Sequence, residues 1–401
     1  MRRGANRGHL GQYNARIVIH ALRRLGSASQ GEIAEATGLS IAGVSTIVRG
    51  LIADGLLEEV RSESSGMGRP RTIIGIAPDV ALGVGVHIDP ALLTTALVDL
   101  RGTPLEILHD REIDSGDPAA ALDATERLVA RALEGAPAES QVVGLGLAVP
   151  GRISTDAGGI VDSVWLPRWN DVPLREDLAS RTGLPVRILK DTHAAVIGEL
   201  WVRGRDLVEA TTVFVYLGIG TGFGLAVAGE AVAGTSGNAG QGGRLFEALT
   251  GSLGTDPDLP TAHDPTQLVA SAHARGLLAG PVPSRGDVLA VDREFRELCT
   301  MPGAHPLLEA AADRIAHAAG IAADLLDADY VVLGGPYAQL LREIHLPRAL
   351  AVLSPSAPGG RPGVDVVASV QGADAGALGA ASAVLDAEYA PRTPTGPGAG
   401  D

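Results

Sequence analysis

The sequence predicts an α/β body of two lobes behind a small amino-terminal winged helix-turn-helix domain. Three observations lead there. Residues 29–57 carry a cap, glycine, cap order of helix signals, and residues 81–388 run through two rounds of alternating strand and helix. The charge is also split: residues 1–75 hold ten arginines against six acids, a net +4, leaving −19 for the rest of a chain whose net charge is −15. Only the amino-terminal part suits a polyphosphate, and an acidic body limits indiscriminate binding to it.

Ser29 and Glu32 fit the Ser-x-x-Glu capping box, in which each side chain satisfies a backbone N–H orphaned at a helix start. A short helix through Thr37 follows. Gly38 supplies the left-handed conformation that ends a helix without steric cost, Leu39 anchors the turn, and Ser40 caps a second helix. On that helix Val44, Val48, Leu51 and Ile52 share one face, with Ala42, Ser45, Thr46 and Arg49 on the other. A recognition helix needs this division, an apolar face toward its own domain and short polar or cationic groups toward a major groove. Two ordinary amphipathic helices would share the spacing; the order of caps and the segment that follows favour the groove reader.

Residues 56–60 and 71–76 read as strands joined by SESSGMGRP, a glycine-rich basic wing. Arg69, extended beside Pro70, and Arg71 suit a narrow minor groove, where a guanidinium meets concentrated negative potential. A solvated linker would have the same composition. Ser40, Ser45, Thr46, Arg49, Arg69 and Arg71 are thus the candidate contacts to double-stranded DNA.

The body opens with strands at 81–88 and 93–100, a helix at 118–133 and a buried strand at 142–149 that ends in Pro150-Gly151. A strand at 212–217 leads into a glycine loop at 217–224 and a further strand from Leu225, and helices are expected at 193–202, 307–327 and 374–388. Two such halves imply lobes with a cleft between them. The expected divisions are 1–75 for the winged domain, 76–190 plus 372–388 for the first lobe, 191–371 for the second, and 389–401, rich in proline and glycine, for a disordered tail.

Cys299 is the only cysteine, which excludes an intramolecular disulfide and a cysteine-cluster zinc site and suggests a small buried hydrophobe. No apolar run is long enough to cross a bilayer, and the arginine-rich start lacks the apolar stretch of a secretory signal. A cytoplasmic chain with no membrane partner is expected.

Taken in order, GLSIAGVSTIV, GRP, GVGVHIDPALLTTALVDLRG, GLGLAVPG, VDSVWLPRWNDVPL, LPVRILKDTHAAVIGE, LGIGTGFG, GNAGQGGRL and VVLGGP resemble the motifs of the ROK family (repressors, open reading frames and sugar kinases) over about residues 12–388. The resemblance implies a two-lobed body of the actin-like sugar kinase fold, a duplicated ribonuclease H-like unit, behind the winged helix-turn-helix. Kinases of that family keep an acidic residue and small glycines in a first phosphate loop. Here its acidic position is His87, its glycine positions are Asp89 and Pro90, and its threonine position is Ala91. That is a poor cradle for triphosphate, which needs close backbone N–H groups and a positive field. Gly218 to Gly224 and Gly334-Gly335 are retained.

By the same resemblance Asp191 stands where the kinases keep their base and where the repressors receive sugar hydroxyls; it could equally cap the helix that follows. Gly151, Trp165, Lys190, Gln241 and Arg244 complete the ligand shell. Trp165 and Lys190 replace asparagines, Gln241 replaces a glutamate, and Arg244 replaces a histidine that is a zinc ligand in the family, whose cysteine cluster is absent from 245–305. No metal and no cofactor are expected. Lys190, the only lysine in the chain, and Arg244 shift the cleft toward positive charge, which an anionic effector would match.

The resemblance and the residues together imply an effector-responsive transcription factor and no enzyme. The expectation is a repressor of carbohydrate uptake or catabolism genes that binds its operator as a homodimer or higher homo-oligomer, with a sugar, sugar phosphate or acidic sugar between the lobes. A sugar kinase that kept a DNA-binding appendage, and a DNA-binding protein with an unliganded body, are the alternatives.

Overall fold

In the computed structural model the described residues are 7–63, 71–113, 116–170, 172–203, 207, 209–252, 263–284, 286–353 and 364–391. The head consists of α1 (Arg7–Leu25), β1 (Ser27–Ser29), α2 (Gln30–Thr37), α3 (Ile41–Ala53), β2 (Leu57–Glu63) and β3 (Arg71–Ile76). α2 begins on the expected capping box: Glu32 N donates to Ser29 Oγ at 3.3 Å and Ser29 N donates to Glu32 Oε2 at 2.7 Å. It stops at Gly38, φ +67°, after which Ser40 Oγ accepts from Gly43 N at 3.2 Å and α3 leaves at 113° to α2. An antiparallel sheet in the order β1-β3-β2 completes the winged domain.

α1 is absent from the sequence reading, which took its segment only as a charge reservoir. Its Val18 and Leu22 are fully buried with Ile33, Val44 and Val48 in a core that continues into the body through Ala81, Leu100, Trp201 and Leu385. The head is thus packed onto the body rather than tethered to it. Two arginines fasten the seam. Arg23 lies 3.7 Å over the Trp201 ring and donates to the Trp201 carbonyl at 3.3 Å, while Arg101 donates to the Ile76 carbonyl and, at 2.8 Å, to Glu58.

The first half of the body contains β4 (Ala81–Asp89), β5 (Leu92–Asp99), β6 (Pro104–Asp110), α4 (Pro118–Glu134), β7 (Gln141–Val149), β8 (Arg152–Ser154), β9 (Gly159–Asp162), α5 (Leu174–Thr182) and β10 (Val186–Lys190). The second contains α6 (Asp191–Arg203), β11 (Thr212–Leu217), β12 (Thr221–Val227), β13 (Glu230–Ala231), α7 (Gly243–Ser252), α8 (Pro265–Ala274), α9 (Val288–Cys299), α10 (His305–Leu326), β14 (Tyr330–Gly334), α11 (Arg342–Leu353), β15 (Asp365–Ala368) and α12 (Ala375–Tyr389). Their sheets run β6-β5-β4-β7-β10 and β13-β12-β11-β14-β15. In each, three antiparallel strands are followed by two added in parallel, so one topology occurs twice.

Pattern explains the packing. Leu82, Val84, Val86 and Ile88 alternate along β4 into a core with Leu122 and Val129 of α4 and Leu174 and Leu178 of α5. The other face of the sheet receives α12, whose small residues allow close approach: a Cβ at Gly85 or Gly146 would run into the backbone of Ala377 or Ala380. α12 in turn packs on α6, and α6 on β11 and β12, so these two helices lie between the sheets.

Three features differ from expectation. The retained glycine segment is mostly strand, with only residues 218–220 outside β11 and β12. α7, α8 and α9 occupy a region to which no element had been assigned. Cys299 is only partly buried, packed against the second-half core, with its thiol pushed up to about 12 by that burial. Among the described residues no single helix is long and apolar enough to cross a membrane.

Candidate functional site

β4, β7 and β10 run parallel and end together at Asp89, Val149 and Lys190, and ligands of α/β sheets bind beyond such carboxyl ends. A cleft of about 260 Å³ opens there, closed on the far side by the β11–β12 turn and the segment before α7. Gly151, Trp165, Lys190, Asp191 and Gln241 all line it, although the sequence spreads them over 91 positions. Gly151 holds φ +95° where a Cβ would lie 2.6 Å from the Asp162 carbonyl oxygen, and the Trp165 indole sits against the turn at Gly220. Arg244 falls in the first turn of α7, one residue past the lining Gly243, and its side chain is outside the described residues.

Asp191 is the first residue of α6 and is 8% exposed. Its Oδ1 accepts from Thr192 N at 2.6 Å, a bond to the next residue and not the cap onto an N–H further along the helix. Burial pushes its carboxyl up to about 6, with Lys190 and the Thr192 N–H pulling the other way. Burial lowers the Lys190 ammonium, and Asp191 offsets part of that.

The sequence reading missed the part played by Asp89, which it took as a defect in a phosphate loop. Its carboxylate is on the cleft wall, with Oδ1 accepting from Ala91 N at 3.0 Å. Burial pushes it up to about 7 against that N–H bond, with the charge of Asp191 adding to the rise. Behind it His87 is buried, pushed down to about 4, with Nε2 3.2 Å from the Tyr216 hydroxyl. Asp89 and Asp162, both lining, answer the positive field foreseen from Lys190 and Arg244. Thr192, Tyr216 and Arg152 also line the cleft and were not among the candidates.

On the head, Val44, Val48 and Leu51 are buried, and Ser40, Ala42, Thr46 and Arg49 are exposed with Ser45 half-buried, so α3 has the two faces expected of it. The polar groups bond to their own helix: Thr46 Oγ1 donates to the Ala42 carbonyl at 3.0 Å and Arg49 Nε to the Ser45 carbonyl at 3.2 Å. Arg71 is exposed at the start of β3, and Arg69 lies outside the described residues.

Residues 84–255 match the ROK family and residues 12–66 the MarR family. The chain is similar to the xylose repressor of Bacillus subtilis (strain 168), 23% identical over 235 residues, which is 58% of this chain and 60% of that protein; it therefore spans less than two thirds of that relative's length. It shares its fold with a ROK family transcriptional regulator described as a homolog of the E. coli Mlc protein, at TM-score 0.68 and 20% identity over 95% of this chain and 97% of the other. It also shares it with a ROK family glucokinase from Streptomyces griseus in complex with glucose and AMPPNP, at TM-score 0.57 and 21% identity over 75% and 98%. The two matched segments fall on the winged head and on the strands that build the cleft, so the chain carries a ROK family domain behind an amino-terminal winged helix of the MarR type.

Proposed function

We propose that this ROK family regulator binds an operator through α3 and the wing and is controlled by a sugar or sugar derivative held in the cleft. We further propose that it represses carbohydrate uptake or catabolism genes and acts as a homodimer, since paired half-sites multiply the modest affinity of one winged domain. The observation that carries this reading is the course of α6. It starts at Asp191 on the cleft wall and runs unbroken to Trp201, which lies under Arg23 of α1 in the head. At 1.5 Å per residue, roughly 15 Å of rigid helix separates the ligand contact from the DNA-binding domain. A ligand that favours one position of Asp191 can thus bias the head, by as much as its affinity differs between the two positions. The names of the xylose repressor and of the glucose-bound glucokinase support the sugar class.

One observation favours a kinase instead: an Asp191 carboxyl raised to about 6 suits a general base. Against it, the β4–β5 turn offers a carboxylate and a proline where phosphate would need N–H donors. The test is selection of the full chain on a randomised duplex pool at low ionic strength, followed by a sugar panel on the selected duplex and an ATP-turnover assay with the same sugars. A two-fold repeated motif, released at least tenfold by one sugar, is expected, with Trp201→Ala retaining duplex binding and losing the sugar response. Failure to select any duplex, together with sugar-dependent ATP turnover, would replace this reading with the kinase.

A further inference from the structure

Three ionisable side chains are buried on the cleft wall: Asp89 at 4%, Asp191 at 8% and Lys190 at 5% exposure. At the rim, exposed Arg152 and Asp162 cancel, and behind Asp89 the Arg296–Asp292 pair, 3.0 Å apart, cancels as well. The Tyr216 hydroxyl is engaged by His87. Among the described residues two carboxylates therefore face one ammonium. Each carboxylate receives a single hydrogen bond on one oxygen, from Ala91 N on Asp89 and from Thr192 N on Asp191. On the same wall the buried Thr192 Oγ1 has no partner.

We propose that the cleft takes an amine-bearing sugar, which brings a protonated amine to the second oxygens of Asp89 and Asp191, in preference to a sugar phosphate or acidic sugar. The inference rests on the sugar-binding reading above and narrows its ligand class. An ammonium balances two buried negative charges with two positive ones, the condition under which buried charge is tolerated. A phosphate would bring further negative charge beside two carboxyl groups opposed by a single ammonium. The three hydrogens of an ammonium also match the acceptors on offer, two carboxylate oxygens and the Thr192 hydroxyl. Trp165, at the same wall, adds an indole that attracts cations and packs on a sugar ring.

The test is calorimetry on the full chain at pH 6.5 with matched sets: D-glucose, D-glucosamine and D-glucose 6-phosphate, and the corresponding galactose and mannose sets. In a set that binds, the amine is expected to bind at least tenfold tighter than its parent, with the phosphate weakest. Its binding should release protons, visible as a heat that depends on the ionisation enthalpy of the buffer, because an ammonium displaces the proton held by the carboxyl pair. Asp89→Asn should lower the amine-to-parent affinity ratio at least tenfold, and Lys190→Met, which removes the competing cation, should raise it. Tightest binding by a phosphate, or equal binding of amine and parent, overturns this inference while leaving the sugar-sensing reading intact. Silence from every sugar overturns both.

Discussion

The β4–β5 and β11–β12 hairpins hold the same place in two sheets of the same strand order, and both reach the cleft. One is built of glycine. A Cβ at Gly220 would lie 2.8 Å from Trp165 Nε1 and one at Gly222 2.9 Å from Thr192 Cγ2, so the backbone itself forms the wall. The other turns at Asp89-Pro90-Ala91, where proline has no N–H and the Asp89 carboxylate takes up that of Ala91. Duplicated architecture thus need not preserve duplicated chemistry. Packing enforces glycine in one hairpin, while in the other the turn is filled by side chains and its capacity to cradle an anion is gone.

The sharpest test of that contrast lies in the glycine hairpin. A Cβ at Gly224 would run into the Thr192 carbonyl oxygen and come within 2.9 Å of Val196 Cβ, both on α6, with no flexible side chain to yield. Gly224→Ala should cost about 3 kcal/mol in urea unfolding, the upper end for overpacking a core. A loss below about 1 kcal/mol, the scale of an ordinary substitution, would mean that the second hairpin is no more constrained than the first.

Asp89 tests the other side. Its carboxyl lies at about 7 in the fold against 3.8 for the ordinary group, raised first by burial. Asp191 and Asp292 add to the rise, the Ala91 N–H and Arg296 oppose it, and Tyr216 lies beside it uncharged. Because the folded value is the higher one, the fold favours the neutral acid: that contribution is complete below about pH 4 and is lost as pH rises through 7. Asp89→Asn, neutral throughout, should therefore exceed the parent in stability by about 2 kcal/mol at pH 8 and match it near pH 4, somewhat less than the full linkage because the amide accepts the Ala91 N–H more weakly than a carboxylate. Equal unfolding midpoints at pH 8 would show a solvated carboxylate and an open wall.

How far the sequence disclosed this molecule depended on the reach of each signal. The capping box at Ser29, the stop at Gly38 and the β4–β5 pairing are decided within a few residues and were legible. α1 escaped because arginines drew the reading toward charge, although Val18 and Leu22 stand four apart on one face. α8 and α9 escaped because no element was sought in a segment noted only for its missing cysteine cluster, yet Asp264 caps α8 ahead of Pro265 and Asp287 caps α9, both ordinary start signals. Gly151, Trp165, Lys190, Asp191 and Gln241 were reached through motifs and line the cleft, whereas Asp89 was read as a loss. Its neighbours Asp191 and Gly218 lie more than a hundred residues away, and no local pattern announces a carboxylate that the fold brings to a second one.

The smallest expected effect concerns the link between the two halves. Tyr216 on β11 and His87 on β4 meet with their rings perpendicular, centroids 6.0 Å apart, and the hydroxyl 3.2 Å from Nε2. With burial holding the imidazole near 4, it is neutral at pH 7 and shares a hydrogen bond with the hydroxyl through Nε2. Tyr216→Phe keeps the ring in place and leaves that nitrogen buried without its partner, at a cost of about 1 kcal/mol. If the bond ties the halves together, amide exchange should quicken in residues 85–88 of β4 and 214–217 of β11 alike. Faster exchange in one strand alone would show that each sheet is held by its own core, and that the contact between the hairpins is proximity without coupling.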